Sequence, residues 1–384
     1  MIPYLIIVII CSVCCFFPLK EWVLITPLKK KRITIKNWYF VALLLIIFAG
    51  CRGDGSGDYW SYLYRGAAIK NFINIFHNDI HMDYGYCMLA YLINKLHLPA
   101  QVIIVSMNII SITCISKTVN DYSKMPFFSL LVFMPFFFQY DMHAARTACA
   151  IGIFSLAYKY SLERKFAKFI LVLLFSVLFH KEAVIGILLY FLPLINIDLY
   201  SGIIILSIDL LFAIFNWTDK VFINILDIVG ADEMLFSYLA YSTETNSTLY
   251  GYKAKLYDPR YIIAFLLFTY ACYAFKNVKS KEMQLLRNAS FVALFIMILF
   301  NNHTFMVYRF SSFYTIFQIL LIPALFPSIQ QCKTNEALSC KILTSRKINY
   351  VIMVLFFTMF AAAFALRMSV PYRLFDLYYW NFNI

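Results

Sequence analysis

The sequence predicts an all-α, polytopic integral membrane protein with about 12 transmembrane helices. Composition is the first reason: the 384 residues are 62% hydrophobic and 14% charged, with a mean hydropathy of +0.74. A soluble domain of this size could not hide so much apolar surface from water, whereas lipid solvates it. The other two reasons are the apolar runs that recur along the chain and the basic residues that collect between them.

The apolar runs are of spanning or near-spanning length, since a helix needs roughly 20 residues to cross the hydrocarbon core. The predicted spans are 2–18, 38–51, 99–116, 126–141, 145–160, 167–180, 183–197, 201–216, 260–275, 289–302, 308–327 and 348–366. The interval 167–197 also fits one long kinked helix. The first run lacks the basic start and the small-residue cleavage site of a signal peptide, so we expect it to be a span.

Basic residues predict the orientation, because Lys and Arg are retained on the cytoplasmic side of a membrane. Five connections together hold 20 of the 33 basic residues and 5 of the 20 acidic ones. These connections are 20–36, 117–124, 159–168, 276–287 and 333–347. With both termini outside, all five lie in the cytoplasm.

Two long segments are predicted on the outer face of a single membrane domain covering 1–384. The first, 52–98, must contain no span, since one more crossing would invert everything downstream. We therefore expect 58–77 and 84–98 to be interfacial or re-entrant helices. The second is a large loop, 217–259, whose length favours a lid or binding role, because structureless connections longer than about 15 residues are uncommon.

Several function classes find no support in the sequence. Cys14, Cys114, Cys149 and Cys272 lie within apolar runs, and the 10 cysteines form no Cys/His cluster with ligand spacing, so neither a metal site nor a disulfide framework is predicted. Membrane topology explains the formal charge of +13 better than nucleic-acid binding does. Walker, GxGxxG, HExxH and cytoplasmic DxD motifs are missing from the sequence, which argues against ATP hydrolysis, nucleotide-sugar donors and catalytic zinc. We predict no cofactor.

Charged and aromatic residues interrupt the apolar sequence between 52 and 86. Glycines between Arg52 and Asp58 allow a sharp turn, and Tyr59, Tyr62 and Arg65 then recur at helical spacing. Aromatic faces and carboxylates suit a site that stacks on sugar rings and accepts hydrogen bonds from their hydroxyls. An aromatic belt at the lipid headgroups, with Asp58 as a helix cap, would give the same pattern.

Further candidates lie at later outer positions. Arg146 opens a helix, where its charge opposes the macrodipole and favours an anionic partner; snorkelling to the headgroups is the alternative. His180 and Glu182 break an apolar stretch, and ionisable groups at that depth are costly unless paired or hydrated. A tight outer turn is the structural alternative for them. The remaining connections add Arg260, His303 and Arg309.

The outer basic residues favour arginine. Seven of the 13 outside the cytoplasmic connections are Arg, and a planar guanidinium binds phosphate or carboxylate oxygens in pairs. Chemistry at an outer face without nucleotides needs an activated donor that is already in the lipid. A polyprenyl-pyrophosphate-linked sugar is such a donor, and its leaving group would explain the arginines.

Short motifs between 40 and 190 resemble those of a known family. Arg52, Gly57-Asp58-Tyr59 and Tyr62 are similar to the R-x-x-G-x-D-Y-x-x-Y signature of EpsG-like proteins, which belong with the Wzy-type O-antigen and capsule polymerases. Asp83-Tyr84-Gly85-Tyr86 stands where that family has E-x-G-[FY], with Asp for Glu. The other similar positions are Arg146 with Ala148, Ala150 and Ile151 (R-x-x-[IL]-A), Phe179-His180 (F-H) and Arg309 (a late Arg).

The resemblance implies a membrane glycosyltransferase of the polymerase type. It would join undecaprenyl-pyrophosphate-linked oligosaccharide repeat units into O-antigen, as in lipopolysaccharide, or into capsular or exopolysaccharide, at the periplasmic face of a bacterial inner membrane. Its partners would be the lipid-linked oligosaccharide and the bilayer, with a chain-length regulator and a flippase as further candidates. The alternatives are a flippase-type transporter of this lipid, or a ligase or acyltransferase acting on it.

We expect the growing chain to be the donor. Arg146, Arg309 and Arg260 would hold its pyrophosphate, where fixed positive charge stabilises the leaving group. His180, Glu182 or Asp58 would take the proton of the attacking hydroxyl. The predicted substrate-binding set is completed by Arg52, Tyr59, Tyr62, Arg65, Asp83 and His303.

Overall fold

A computed structural model describes residues 1–25, 32–54, 58–76, 82–218, 258–278, 280–326 and 336–369. These residues are predominantly helical, which agrees with the predicted fold class. One hairpin departs from it: strand β1 (Glu21–Ile25) pairs antiparallel with β2 (Arg32–Lys36) inside the first basic connection. The pairing places Glu21 opposite Lys36, and their charged groups are 3.5 Å apart.

The helices are short and follow one another closely. The α-helices up to residue 180 are α1 (Ile2–Cys14), α2 (Tyr39–Gly50), α3 (Tyr59–Ala67), α4 (Tyr84–Lys95), α5 (Gln101–Tyr122), α6 (Pro126–Phe136), α7 (Ala145–Ser155), α8 (Ala157–Leu162) and α9 (Phe166–Phe179). Those that follow are α10 (Leu199–Ile214), α11 (Pro259–Ala274), α12 (Lys281–Leu299), α13 (Thr304–Thr315), α14 (Gln318–Leu325) and α15 (Glu336–Met368).

Three of the described helical segments are long and apolar enough to cross a membrane: Gln101–Tyr122, Lys281–Leu299 and Lys347–Met368. Five apolar helices are shorter: Ile2–Cys14, Tyr39–Gly50, Phe166–Phe179, Leu199–Ile214 and Pro259–Ala274. The count of about 12 spans therefore stays a prediction. Helix α4 has 12 residues and so measures about 18 Å, less than the roughly 30 Å of a hydrocarbon core. Helix α2, in the predicted span 38–51, is equally short, so the prediction that 84–98 does not cross stays a prediction.

Breaks in helical geometry shorten several of the predicted spans. Helix α6 contains Pro135, and a π-helix (Phe137–Asp141) follows it at once. The predicted span 183–197 is instead a 3₁₀-helix (Lys181–Tyr190) followed by a shorter one (Leu192–Leu194). Apolar composition alone cannot distinguish these geometries, because it reports burial rather than the hydrogen-bond pattern.

The chain divides into two compact units. The first comprises Met1–Ala157, Leu171–Lys181 and Ile322–Ile384; the second comprises Tyr158–Ile170 and Glu182–Leu321. In the first unit α5 packs against α2 and α7. The α5–α7 contact depends on Gly152, where a Cβ would lie 2.6 Å from Ser111 Cα, and small residues permit such close approach between membrane helices. In the second unit α12 packs against α10, α11 and α13.

Candidate functional site

An ion pair between Arg146 and Asp83 lies at the centre of the candidate site in the first unit. Arg146 is in the first turn of α7, and Asp83 occupies the position before α4. Arg146 Nη1 is 2.9 Å from Asp83 Oδ2, with side-chain exposures of 19% and 17%. The Asp83 carboxylate makes no capping bond to its own helix. Its negative charge instead stabilises the Arg146 guanidinium, which lies at the N-terminal end of α7, where the helix dipole disfavours positive charge.

Helix α3 supplies the second side of this cluster. The Tyr62 hydroxyl donates to Asp58 Oδ2 and accepts from the Arg146 backbone N–H, both at 3.4 Å. Burial raises the pKa of the Tyr62 phenol to about 12, and the Asp58 charge adds to the rise. Tyr62 therefore stays a neutral phenol at physiological pH. Asp58, an exposed residue, makes no capping bond to the helix it precedes.

Tyr59 and Tyr62 are both buried, so neither ring face is open to a ligand in this arrangement. The Tyr59 hydroxyl donates to Gln101 Oε1 at 2.8 Å, and Gln101 Nε2 donates to the Gly50 carbonyl at 2.7 Å. This relay fixes α3 to the junction of α2 and α5. The roles predicted for the two tyrosines in sugar binding remain predictions, but here the rings act as anchors of α3.

Arg52 is fully buried just beyond α2. Its Nη1 donates to the Ala49 carbonyl at 2.8 Å, while Nε and Nη2 meet no hydrogen-bond partner among the described residues. Burial lowers the pKa of its guanidinium, and the nearby Tyr62 and Asp141 oppose that change. The N–H groups on Arg52 Nε and Nη2 are therefore buried hydrogen-bond donors that a ligand could use. The sequence does not reveal that Asp141 lies near Arg52, because no local signal links two residues so far apart in the chain.

His180 is placed beside this cluster by close backbone packing. It directly follows α9, its N–H donates to the Ser176 carbonyl, and its side chain is buried. The Ser176 hydroxyl donates to the Ala150 carbonyl of α7 at 2.7 Å. A Cβ at Gly85 would lie 2.8 Å from the Leu178 carbonyl oxygen, so the start of α4 touches the end of α9. The first unit therefore brings Asp58, Tyr62, Asp83 and Arg146 into contact, and it places the end of α9, next to His180, against the start of α4.

Arg65 is exposed in the last turn of α3. A positive charge is favourable there, because the C-terminal end of a helix carries partial negative charge.

The second unit has its own pair of opposite charges. Arg309 Nη1, on α13, is 3.2 Å from Glu182 Oε1 in the 3₁₀-helix, with side-chain exposures of 33% and 14%. The Tyr314 hydroxyl donates to the Ile185 carbonyl at 2.7 Å and holds the two elements together. His303 is buried at the N-cap position of α13.

Arg260 joins this group from the first turn of α11. Its Nε and Nη2 bond to the two carboxylate oxygens of Asp258 at 2.9 and 2.6 Å, a bidentate pair. Its guanidinium carbon lies 4.0 Å from the ring centroid of Tyr308, which precedes Arg309 on α13. Asp258 could have been predicted, since Asp-Pro before an apolar run is a helix-start signal. No local signal marks Tyr308.

The predicted loop 217–259 lies almost entirely outside the described residues, as do Gly55 and Gly57 of the first motif. The structure therefore does not test them.

The fold and these clusters define a helical membrane protein in which outward-predicted arginines pair with carboxylates. The EpsG family model matches residues 36–379, so the chain belongs to the EpsG family, as its motifs indicated. No curated protein and no solved structure matches the chain. Family membership makes it a membrane protein related to polysaccharide biosynthesis, and the family is generally associated with glycosyltransferase-like polymerases.

Proposed function

We propose that this protein polymerises undecaprenyl-pyrophosphate-linked oligosaccharide repeat units into a surface polysaccharide at the periplasmic face of the bacterial inner membrane. The observation that carries the proposal is the set of arginine–carboxylate pairs in the two units. Each carboxylate holds a guanidinium in a fixed position before the ligand binds, and an arriving diphosphate would compete with that carboxylate for the guanidinium N–H groups. EpsG-family membership supports the glycosyltransferase class.

The reaction is a displacement at the anomeric carbon of the growing chain. The bond from that carbon to the pyrophosphate oxygen breaks, and its electron pair leaves with undecaprenyl pyrophosphate. A hydroxyl oxygen at the non-reducing end of the incoming repeat unit forms the new glycosidic bond. Its proton passes to a base, for which His180, Glu182 and Asp58 are the candidates.

The arginines act on the leaving group in this scheme. The candidates for holding phosphate oxygens as negative charge develops on them are Arg146 in the first unit and Arg309 and Arg260 in the second; a guanidinium suits this role because its N–H groups pair with two oxygens at once. Arg52, which is buried, supplies guanidinium N–H donors to the site in the first unit. Asp83 in the first unit and His303 in the second orient the arginines or the sugar. The lipid-linked oligosaccharide and the bilayer are the proposed partners, with a flippase and a chain-length regulator acting before and alongside polymerisation.

Replacing Arg146 tests the proposal. We expect Arg146→Ala to abolish long-chain polysaccharide on a gel while single repeats still reach the surface. Arg146→Lys keeps the charge but loses the two-oxygen fork, so we expect shortened chains. Normal chain lengths in Arg146→Ala, with the protein present in the membrane, would overturn the assignment.

An assay in detergent separates a polymerase from the alternatives. Detergent micelles contain no second compartment, so a transporter of the same lipid would leave repeat units unchanged. The purified protein should lengthen lipid-linked repeat units without added nucleotide. A ligase or acyltransferase would instead modify the units without forming a ladder.

A further inference from the structure

Helix α3 has one buried face and one exposed face. The buried face carries Tyr59, Tyr62 and Gly66, and a Cβ at Gly66 would lie 2.4 Å from Ile103 Cδ1. Asn94 Nδ2, from α4, donates to the Gly66 carbonyl at 2.7 Å. These contacts fix the rotation of the helix about its axis. The residues on the opposite face are therefore presented in a fixed direction.

Trp60 and Tyr64 form an aromatic pair on that opposite face. They are one helical turn apart, 39% and 69% exposed, with ring centroids 5.4 Å apart and planes inclined by 24°. Tyr59 packs edge-on against Trp60 at 5.4 Å and 84° and supports it from the buried side. Rigid aromatic rings give a large contact area at low entropic cost. The pair offers the stacking surface that Tyr59 and Tyr62, being buried, do not.

A polar row runs beside the aromatic pair. At 3.6 residues per turn, Asp58, Ser61 and Arg65 lie on one strip of α3, next to the strip of Trp60 and Tyr64. Asp58 and Arg65 are exposed and Ser61 is partly exposed. Together the row offers a carboxylate, a hydroxyl and a guanidinium. Apolar ring faces next to such groups match a pyranose, which has an apolar C–H face and a rim of hydroxyls.

A nearby element shows a different pattern. The 3₁₀-helix Phe72–Phe76 exposes Phe72, Ile73 and Phe76, and it contains no charged residue. Exposed apolar side chains without a polar row are typical of contact with the lipid interface. The contrast favours sugar over lipid as the ligand of the Trp60–Tyr64 pair.

We propose that Trp60 and Tyr64, flanked by Ser61 and Arg65, form a carbohydrate subsite that binds pyranose rings of the oligosaccharide. The subsite lies on the face of α3 opposite the buried face, whose Tyr62 contacts the Arg146 backbone N–H, so roughly the width of one helix separates it from the Arg146–Asp83 pair. Its role rests on the proposed function, in which the oligosaccharide follows the pyrophosphate. Sugars of the donor chain would stack here while Arg146 holds phosphate.

Binding without turnover tests the subsite. The probe is the lipid-free repeat-unit oligosaccharide of the source cell, released from its carrier by mild acid and titrated against the purified full chain in detergent. We expect Trp60→Ala and Tyr64→Ala each to weaken binding about tenfold, as is typical when an aromatic stacking partner is lost. Trp60→Phe and Tyr64→Phe keep a ring, so their loss should be within about threefold.

Phe72→Ala and Phe76→Ala are the matched controls, since they remove exposed rings that lack a polar row. We expect both to bind the probe as the unchanged protein does. The subsite is overturned if Trp60→Ala and Tyr64→Ala, folded by circular dichroism, bind normally. It is also overturned if Phe72→Ala and Phe76→Ala lose as much affinity for the oligosaccharide as the Trp60 and Tyr64 variants. A third contradicting result is quenching of Trp60 fluorescence by brominated lipids in vesicles, measured in a variant whose only tryptophan is Trp60, since this face of α3 would then contact lipid.

The two proposals fail separately. If the protein binds the oligosaccharide through Trp60 and Tyr64 but never lengthens lipid-linked units, the subsite proposal stands and the polymerase proposal is rejected. If both alanine variants lengthen chains normally, with an unchanged KM for the lipid-linked donor, the polymerase proposal stands and the subsite is rejected.

Discussion

The Arg146–Asp83 pair gives the sharpest prediction about stability. Taking the charge centres as about 4 Å apart, with an effective dielectric constant near 20, their attraction is about 4 kcal/mol. Desolvation of both ions offsets part of it, and removing one partner of a fully buried pair costs about 3–5 kcal/mol. Each side chain here keeps nearly a fifth of its exposure. We therefore expect Arg146→Ala to lower the free energy of unfolding by about 2–3 kcal/mol.

A double-mutant cycle isolates the pair from other effects of each substitution. Asp83→Asn should cost less, about 1–2 kcal/mol, because the amide oxygen still accepts a hydrogen bond. The double variant should cost less than the sum of the two single variants by about 1–2 kcal/mol. Denaturant titration in mixed micelles measures all three free energies of unfolding, and Lys70→Ala, at an exposed position, controls for loss of surface charge. Strictly additive effects would refute the reasoning, since the ion pair would then contribute nothing.

Two further predictions concern other parts of the site. Gly85→Ala should destabilise the protein by about 1–3 kcal/mol, because the new Cβ would meet the rigid Leu178 carbonyl; an unchanged unfolding midpoint would show that the backbone relaxes at no cost. Glu182→Gln should lower the rate of chain lengthening by about 10²–10⁴-fold if Glu182 is the base, and loss of the charge paired with Arg309 should cost no more than about 1–2 kcal/mol of stability, as for Asp83→Asn. A normal rate in the detergent assay would remove Glu182 from the candidates and leave His180 and Asp58.

The sequence was sufficient for the class of the protein and for its family. Composition required a membrane environment, and the motifs between 52 and 180 indicated the EpsG family, which the family match confirms. The helices predicted to begin at 58 and 84 are observed as α3, from Tyr59, and α4, from Tyr84. Neither Asp58 nor Asp83 makes the side-chain capping bond that an Asp at this position usually provides.

The orientation of α3 could not be predicted. Helical spacing showed that Tyr59 and Tyr62 share a face, but Trp60 and Tyr64 share another, and all four are aromatic. Only tertiary contacts, such as the bond from Tyr59 to Gln101, decide which face turns inward. The burial of Arg52 has the same cause, because the residues around it come from distant parts of the chain.

The pairing of each arginine with a carboxylate has a consequence for competition among lipids. Ordinary phospholipid headgroups with a single negative charge vastly outnumber any lipid-linked sugar in a membrane, and an uncompensated guanidinium would collect them. A ligand of Arg146 must instead outcompete Asp83, which is already 2.9 Å away and bears a full charge. A diphosphate, with more charge and more oxygens, meets that requirement better than a monoanionic headgroup. In the proposed function, Asp83 would therefore favour binding of the scarce diphosphate lipid to Arg146 over binding of the abundant phospholipids.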